Sequence, residues 1–285
     1  MLLLLLCAQA EQLWTRDDTI AMIDLLENQP GAQVPEKKRI IPGQSDLSET
    51  KGLDERRMNI LLMSSDAASM RKNFGKTEAV FVLSVHLDKG EMRLLSLPGD
   101  AVIGVEGLPA PVPLRYVNCF GGPRLLMRSL NQALGLNIRR YCAVNLQAFS
   151  AGVDALQGVQ LLLTEAEMLE MGLSNTATRL TGDQAYRFVQ SAKGSGAGGR
   201  ASRVIEAAAG QLMDEFTLGT ALNLAGTMLP LIDCNLNIFD MGRLLRAYLN
   251  GNGGMDSDAL ECPAGVIGED QKLQVHACFY GEDKE

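Results

Sequence analysis

The sequence predicts an α/β fold, and three features predict it. Short apolar runs bounded by turn residues recur from residue 58 onward, they alternate with stretches of helical spacing, and acidic residues stand at the ends of the runs. Runs of four to six apolar residues are too short for helices and read as buried strands. Strands alternating with helices imply parallel pairing through right-handed crossovers.

The organising stretch is Met58 to Asp100. Its first run, Ile60 to Met63, ends in Ser64-Ser65-Asp66. The second, Val80 to Val85, follows Lys76-Thr77-Glu78 and turns at Asp88-Lys89-Gly90. The third, Met92 to Leu97, stops at Pro98-Gly99-Asp100. Ligands of open α/β sheets sit in the loops beyond strand ends, so Asp66, Glu78 and Asp100 are candidates to converge on one crevice. Two carboxylates with phosphate oxygens and waters are a usual cradle for Mg²⁺. The same residues also fit plain turn and cap roles, which Asp often fills.

Before this stretch, Asp17 to Asn28 carries Ile20, Ile23 and Leu26 at helical spacing behind capping residues, a short amphipathic helix. Residues 29–57 mix Pro, Gly and charge without periodicity and read as a linker. After it, Ala101 to Pro113 reads as irregular. Gly121-Gly122-Pro123 opens a helix from Arg124 to Leu134, which Gly135 closes. Tyr141 to Leu146 is a strand, Gln147 to Leu156 a helix, Gly158 to Leu163 a strand, and Thr164 to Met171 a helix with a Thr164/Glu167 capping box. A helix from Gly182 to Lys193 leads into Gly194-Ser195-Gly196-Ala197-Gly198-Gly199 and then a helix bearing Arg200 and Arg203, three apart on one face. A glycine-rich loop at a helix N-terminus can offer N–H groups to phosphate; it is also a common flexible connector, and no Walker lysine follows. Leu218 to Ile232 and Met241 to Leu249 are further helices, and Leu273 to Tyr280 reads as a closing strand. No internal repeats are visible.

Composition narrows the function. The 285-residue chain can bury a sizeable core, and its net charge of −8 argues against a general nucleic-acid binder. Any anionic ligand must meet local Arg and Lys. Residues 1–10, with Leu2 to Leu6 and Ala8-Gln9-Ala10, look like the end of a secretory signal lacking its basic part, and predict an extracytoplasmic protein; a cytosolic chain with a frayed apolar start is the alternative. Five leucines cannot span a bilayer. The six cysteines form no CxxC pair, so zinc is not expected. Cys262 and Cys278, read as lying in two late strands, are the expected disulfide, with free thiols elsewhere.

Taken together, "NILLMSSD", "KTEAVFVLSVHLDKGEMRLLSLPGD", "RYVNCFGGP", "VNLQAFSAGVDALQGVQL", "LTGDQAYRFVQ" and "GGRASRVIEA" resemble, in order and spacing, the LytR-CpsA-Psr family over about residues 58–216. The resemblance implies a central mixed sheet flanked by helices on both faces, a domain over 58–285, and a segment 11–57 as N-terminal helix and linker. It implies transfer of a glycopolymer from a polyprenyl-pyrophosphate carrier to peptidoglycan outside the membrane, with Mg²⁺ or Mn²⁺ and an apolar tunnel for the lipid. A monomer is expected.

Residue by residue, the resemblance puts the metal-site aspartates on Asp66 and on Glu78, a substitution that keeps charge and changes reach. Lys76 stands for the arginine of the same motif and cannot grip phosphate bidentately. Asp100 keeps the aspartate of the Pro-Arg-Asp motif, while its arginine position is Gly99. Two helix-end arginines fall on Gln190 and Ala192, with Lys193 adjacent. Arg200 and Arg203 keep both arginines of the Gly-Arg-x-x-Arg-Gln motif, whose glutamine is Val204. Arg115 lies near the basic position before the Gly-Gly-Pro turn. On this basis Arg200, Arg203, Asp100 and Lys76 are the catalytic candidates, Arg115, Lys193 and Gln190 the substrate-binding candidates, and Asp66 and Glu78 the metal ligands. Loss of three arginines weakens pyrophosphate neutralisation, since each such donor is commonly worth about 3 kcal/mol of barrier. Three readings stay open: a divergent phosphotransferase, a lipid-carrier binding or regulatory module, and a structural ectodomain.

Overall fold

A computed structural model describes residues 46–65, 75–108, 110–174, 176–191, 196–214, 232–251, 255–263 and 265–281. The expected helix Asp17 to Asn28 lies outside the described residues, as do Asp66, Lys193 and, but for its last residue, the expected helix Leu218 to Ile232.

The first three apolar runs form β1 (Arg57–Ser65), β2 (Thr77–His86) and β3 (Met92–Leu97). They pair antiparallel in sequence order, the β2–β3 turn passing through Gly90 at φ 71°. Two strands pair in parallel with this meander: β6 (Arg140–Val144) beside β1, and β10 (Met255–Ala259) beside β3. With the two-residue β9 (Asp233–Cys234) antiparallel to β6, the order is β10-β3-β2-β1-β6-β9, a mixed sheet.

Side chains alternate across the pleat, and both faces are buried. Leu61, Met63, Val80, Val82, Leu95 and Leu97 pack on one face against α1 (Leu114–Leu134) and α7 (Glu269–Tyr280). On the other face Met58, Ile60 and Val85 pack against α6 (Ile238–Asn250), and Phe81 and Leu94 meet Ala201 of α5 (Gly196–Asp214). Coverage of both faces is why these strands read as unbroken apolar runs. The mixed sheet with helices on both faces agrees with the predicted class.

Beyond α5 lies a second, smaller core. It joins α2 (Leu146–Ala155), α3 (Glu165–Met171) and α4 (Gly182–Ser191) to a ribbon of β7 (Val159–Leu162) and β8 (Ala177–Leu180). This corrects the expectation of parallel crossovers throughout. β7 leaves the main sheet and pairs antiparallel with β8, a strand the sequence reading missed. Its burial alternates strictly, with Leu162 73% exposed, so only one face finds a core.

Three further corrections follow from local chemistry. Leu273 to Tyr280 is helix α7, not a strand: Gln271, Val275 and Phe279 are the buried residues, four apart, Glu269 and Asp270 occupy the first turn, and the Gln271 side chain accepts from Gly268 N–H at 3.0 Å. α1 begins at Leu114, ten residues early, behind a short antiparallel pair β4 (Val102–Ile103) and β5 (Val112–Pro113). The Gly-Gly-Pro turn breaks it at Gly122 (φ 73°, ψ −169°), and Gly135 caps its end in the left-handed region as expected. Last, Cys262 lies in the loop after β10 and Cys278 on α7, so the two-strand premise for their disulfide fails. Both are free thiols, Cys278 donating to Asp258 Oδ2 at 3.3 Å. Among the described residues no helix is long and apolar enough to cross a membrane.

Candidate functional site

Antiparallel pairing brings the end of β1, the start of β2 and the end of β3 together at one end of the sheet. Ser65 stands opposite Thr77, and Val80 opposite Leu97. Lys76, half-buried, the backbone of Glu78 and the Pro98-Gly99-Asp100 turn therefore share that end. The first turns of α1 are laced across it. Arg115 N–H donates to Gly99 O at 3.0 Å, Leu114 N–H to Ala101 O at 2.9 Å, and Thr77 Oγ1 to Arg115 O at 3.0 Å. Asn118 Nδ2 donates to Gly75 O at 2.7 Å, and Ala79 N–H to Ser64 Oγ at 2.9 Å. Thr77 and Asn118 are almost fully buried.

Arg115 is the cation this lacing positions. Its Nη2 donates to Asp100 Oδ1, with side-chain exposures of 27% and 69% respectively. Its Nε is buried and meets no acceptor among the described residues, and Asn118 Oδ1 is likewise unmatched. A Cβ added at Gly99 would lie 3.5 Å from Arg115 Cβ and 3.6 Å from its Nε. A cation thus runs beside the very position where the resembling motif carries its arginine. Sequence reasoning tied Arg115 to a different motif position and missed Thr77 and Asn118. The Thr before Glu78 was visible, but only the fold pairs it with residue 115.

The described donors do not by themselves make a divalent-metal site. Asp66 lies outside them, as does the side chain of Glu78, and Asp100 is bound to a guanidinium. Among the described residues no group of three or more His, Cys, Asp or Glu gathers.

The other cationic pair, Arg200 and Arg203, has its own set of partners. α5 begins at Gly196, so most of the expected glycine loop is already helix, and α5 covers the sheet face opposite α1. Arg203 Nη1 donates to Glu167 Oε1 at 2.6 Å and Nη2 to Leu162 O at 2.5 Å. Arg200 donates to Glu170 Oε2 at 2.7 Å, Phe188 O at 2.9 Å and Ser191 Oγ at 2.6 Å, and lies 3.5 Å from Glu167. Both guanidinium groups rest on the Phe188 ring, at 4.8 and 5.3 Å from its centre. Burial pushes the Glu167 carboxyl up, but hydrogen bonds from Arg203 and from Thr164 N–H outweigh it and hold it below the ordinary range. Glu167 was legible only as a capping residue, and Glu170 was not anticipated. Gln190 is exposed on α4. The partners of Arg200 and Arg203 are thus Glu167, Glu170, Leu162, Phe188 and Ser191, and that of the Arg115 side chain is Asp100.

The profile of the LytR-CpsA-Psr family matches residues 28–276. The chain belongs to the LytR-CpsA-Psr family. Among curated relatives, the polyisoprenyl-teichoic acid–peptidoglycan teichoic acid transferase TagU of Oceanobacillus iheyensis is 27% identical, the match covering 82% of this chain and 77% of that protein. The TagU of Bacillus cereus strain AH820 is 26% identical over 48% of this chain and 45% of its own length. Family structures share the fold. Bacillus subtilis TagV matches with a TM-score of 0.64 at 14% identity, covering 78% of this chain and 95% of that one. TagT bound to LI-WTA matches with 0.61 at 19%, covering 82% and 91%. In this member of the family the α5 arginines are engaged by the carboxylates of Glu167 and Glu170.

Proposed function

We propose that this protein works outside the cytoplasmic membrane and binds a polyprenyl-pyrophosphate-linked glycopolymer, its diphosphate lying at the sheet end beside Thr77, Asp100 and Arg115. The observation that carries the reading is the lacing of Arg115 to the start of β2 and the turn after β3, with a buried Nε that meets no acceptor among the described residues. Family membership supports the substrate class, and a TagU relative named as a teichoic acid transferase supports peptidoglycan as the acceptor.

Transfer would break the bond between the phosphorus carried to the acceptor hydroxyl and the bridging oxygen of the carrier, which leaves as polyprenyl phosphate. Negative charge grows on that leaving oxygen, so a cation at the diphosphate lowers the barrier. Arg115 supplies one by exchanging an exposed carboxylate for phosphate. Asp100, released in that exchange, is positioned to accept a proton from the attacking hydroxyl.

A second reading, binding with little or no transfer, draws on the state of Arg200 and Arg203. To assist a phosphate they must leave Glu167 and Glu170, and Glu167 is buried. The test is to incubate the protein with a polyprenyl-pyrophosphate-linked saccharide and a peptidoglycan acceptor, with Mg²⁺ or with chelator, and follow both lipid binding and release of polyprenyl phosphate. Binding that falls at least tenfold in Arg115→Ala supports the site. Unchanged binding in that variant removes it. Turnover separates the first reading from the second.

A further inference from the structure

We propose that Cys142 and Cys234 form a disulfide that fastens the edge strand β9 to β6. The two are direct partners in the antiparallel β6–β9 ladder. Asn235 N–H donates to Tyr141 O at 3.3 Å, which makes residues 141 and 235 a hydrogen-bonded pair and 142 and 234 a non-hydrogen-bonded one. At such a pair the Cα atoms are about 4.5 Å apart and the side chains lean together, within the span of a disulfide. Both are free thiols in this structure, half-buried and open enough for a small oxidant.

The reaction balances with a low-molecular-weight disulfide such as oxidised glutathione. One cysteine thiolate attacks it, releasing one reduced thiol and leaving a mixed disulfide. The second cysteine then displaces the other, so two electrons and both thiol protons end on two reduced thiols. Burial, reinforced by the neighbouring thiol and by Asp233, pushes Cys142 up to about 12. So basic a thiol is a poor attacking nucleophile as well as a poor leaving group, so exchange through Cys142 is slow in both directions. That character suits a structural clamp rather than a redox catalyst.

The clamp has a load to carry. β9 is two residues long, and its strand edge is held chiefly through Asn235, whose Oδ1 accepts from Tyr141 N–H at 2.7 Å and whose Nδ2 donates to Arg139 O at 2.9 Å. It leads directly into α6, which covers one face of the sheet. The bond would tie that helix to the parallel pair at the centre of the fold, independently of any transfer activity.

The full chain is treated with oxidised glutathione at mildly alkaline pH, alkylated under denaturing conditions and digested with trypsin without reduction. Tryptic fragments 141–179 and 204–243 each contain one cysteine, Cys142 and Cys234. The expected result is a linked pair of these fragments that separates on reduction. Cys142→Ser, Cys234→Ser and the double variant each lose about 5–10 °C of Tm relative to the oxidised protein, with no additivity, and reductant moves the wild type but not the double variant. Both cysteines recovered alkylated after oxidation, or either one linked to a different cysteine, overturns the proposal. The fragment map on the wild type decides even where a variant fails to fold.

Discussion

Two clusters in this protein hold arginines against carboxylates, and they differ in what the carboxylate can give up. At the sheet end Arg115 faces Asp100, which is 69% exposed, so the pair is well solvated and worth under about 1 kcal/mol. In the smaller core Arg200 and Arg203 face Glu167, whose side chain is 11% exposed and which also caps α3 by accepting from Thr164 N–H at 2.9 Å. A diphosphate arriving at the first cluster displaces a weak partner. Arriving at the second, it leaves a buried carboxylate without its cations, at a cost of several kcal/mol. The lesson is that a retained motif arginine is not an available one.

Breaking the second cluster has the largest expected effect. Glu167→Ala removes the cap and both ion pairs and lowers unfolding stability by about 3–5 kcal/mol, read from urea denaturation. Glu167→Gln keeps the capping bond and loses the charge, so it costs about 2–3 kcal/mol. A loss below about 0.5 kcal/mol in both would place these arginines in solvent, equal to Arg115 in availability.

Acid titration sharpens the same contrast. The folded Glu167 carboxyl sits below its ordinary value of 4.5, so its contribution is full above that value and fades as pH falls through the lower folded one. Asp240 behaves alike: burial raises it, but the Arg140 guanidinium, donating at 2.6 Å, holds it below its ordinary 3.8. Urea midpoints measured from pH 6 down to pH 3 should fall in the wild type and fall less steeply in Glu167→Gln. An unchanged acid slope would mean Glu167 titrates as in the unfolded chain.

The sheet was legible because each strand of the meander is apolar on both faces and bounded by Ser, Asp, Gly or Pro, a local signal. The capping box at Thr164 and the Gly135 cap were legible for the same reason. β10 was not, since its Met-Asp-Ser-Asp-Ala sequence is polar and its place beside β3 is decided by register, not composition. α7 misled because Val275 and Phe279 favour strands by propensity, while their spacing of four serves a helix packed on α1. The site divides similarly. The Asp100 turn announced itself, whereas the partnership of Arg200 with Glu170 spans thirty residues, and that of Thr77 with Arg115 thirty-eight. Only tertiary pairing reveals those.

The smallest effect tests the first cluster from its acidic side. Asp100→Ala deletes an exposed partner, so unfolding stability changes by less than about 0.5 kcal/mol. Arg115 stays in place because its backbone, not its side-chain ion pair, is fixed to Gly99 and Thr77. With its competitor gone the guanidinium should bind a polyprenyl-pyrophosphate-linked saccharide about two- to fivefold more tightly, the reward for removing a pair of that strength. Transfer, if Asp100 takes the proton from the acceptor, should fall at the same time. Tighter binding with slower turnover assigns both roles to one short turn. Weaker binding would mean that Asp100 orients Arg115 toward the ligand rather than competing for it, and the exchange described above would have to run the other way.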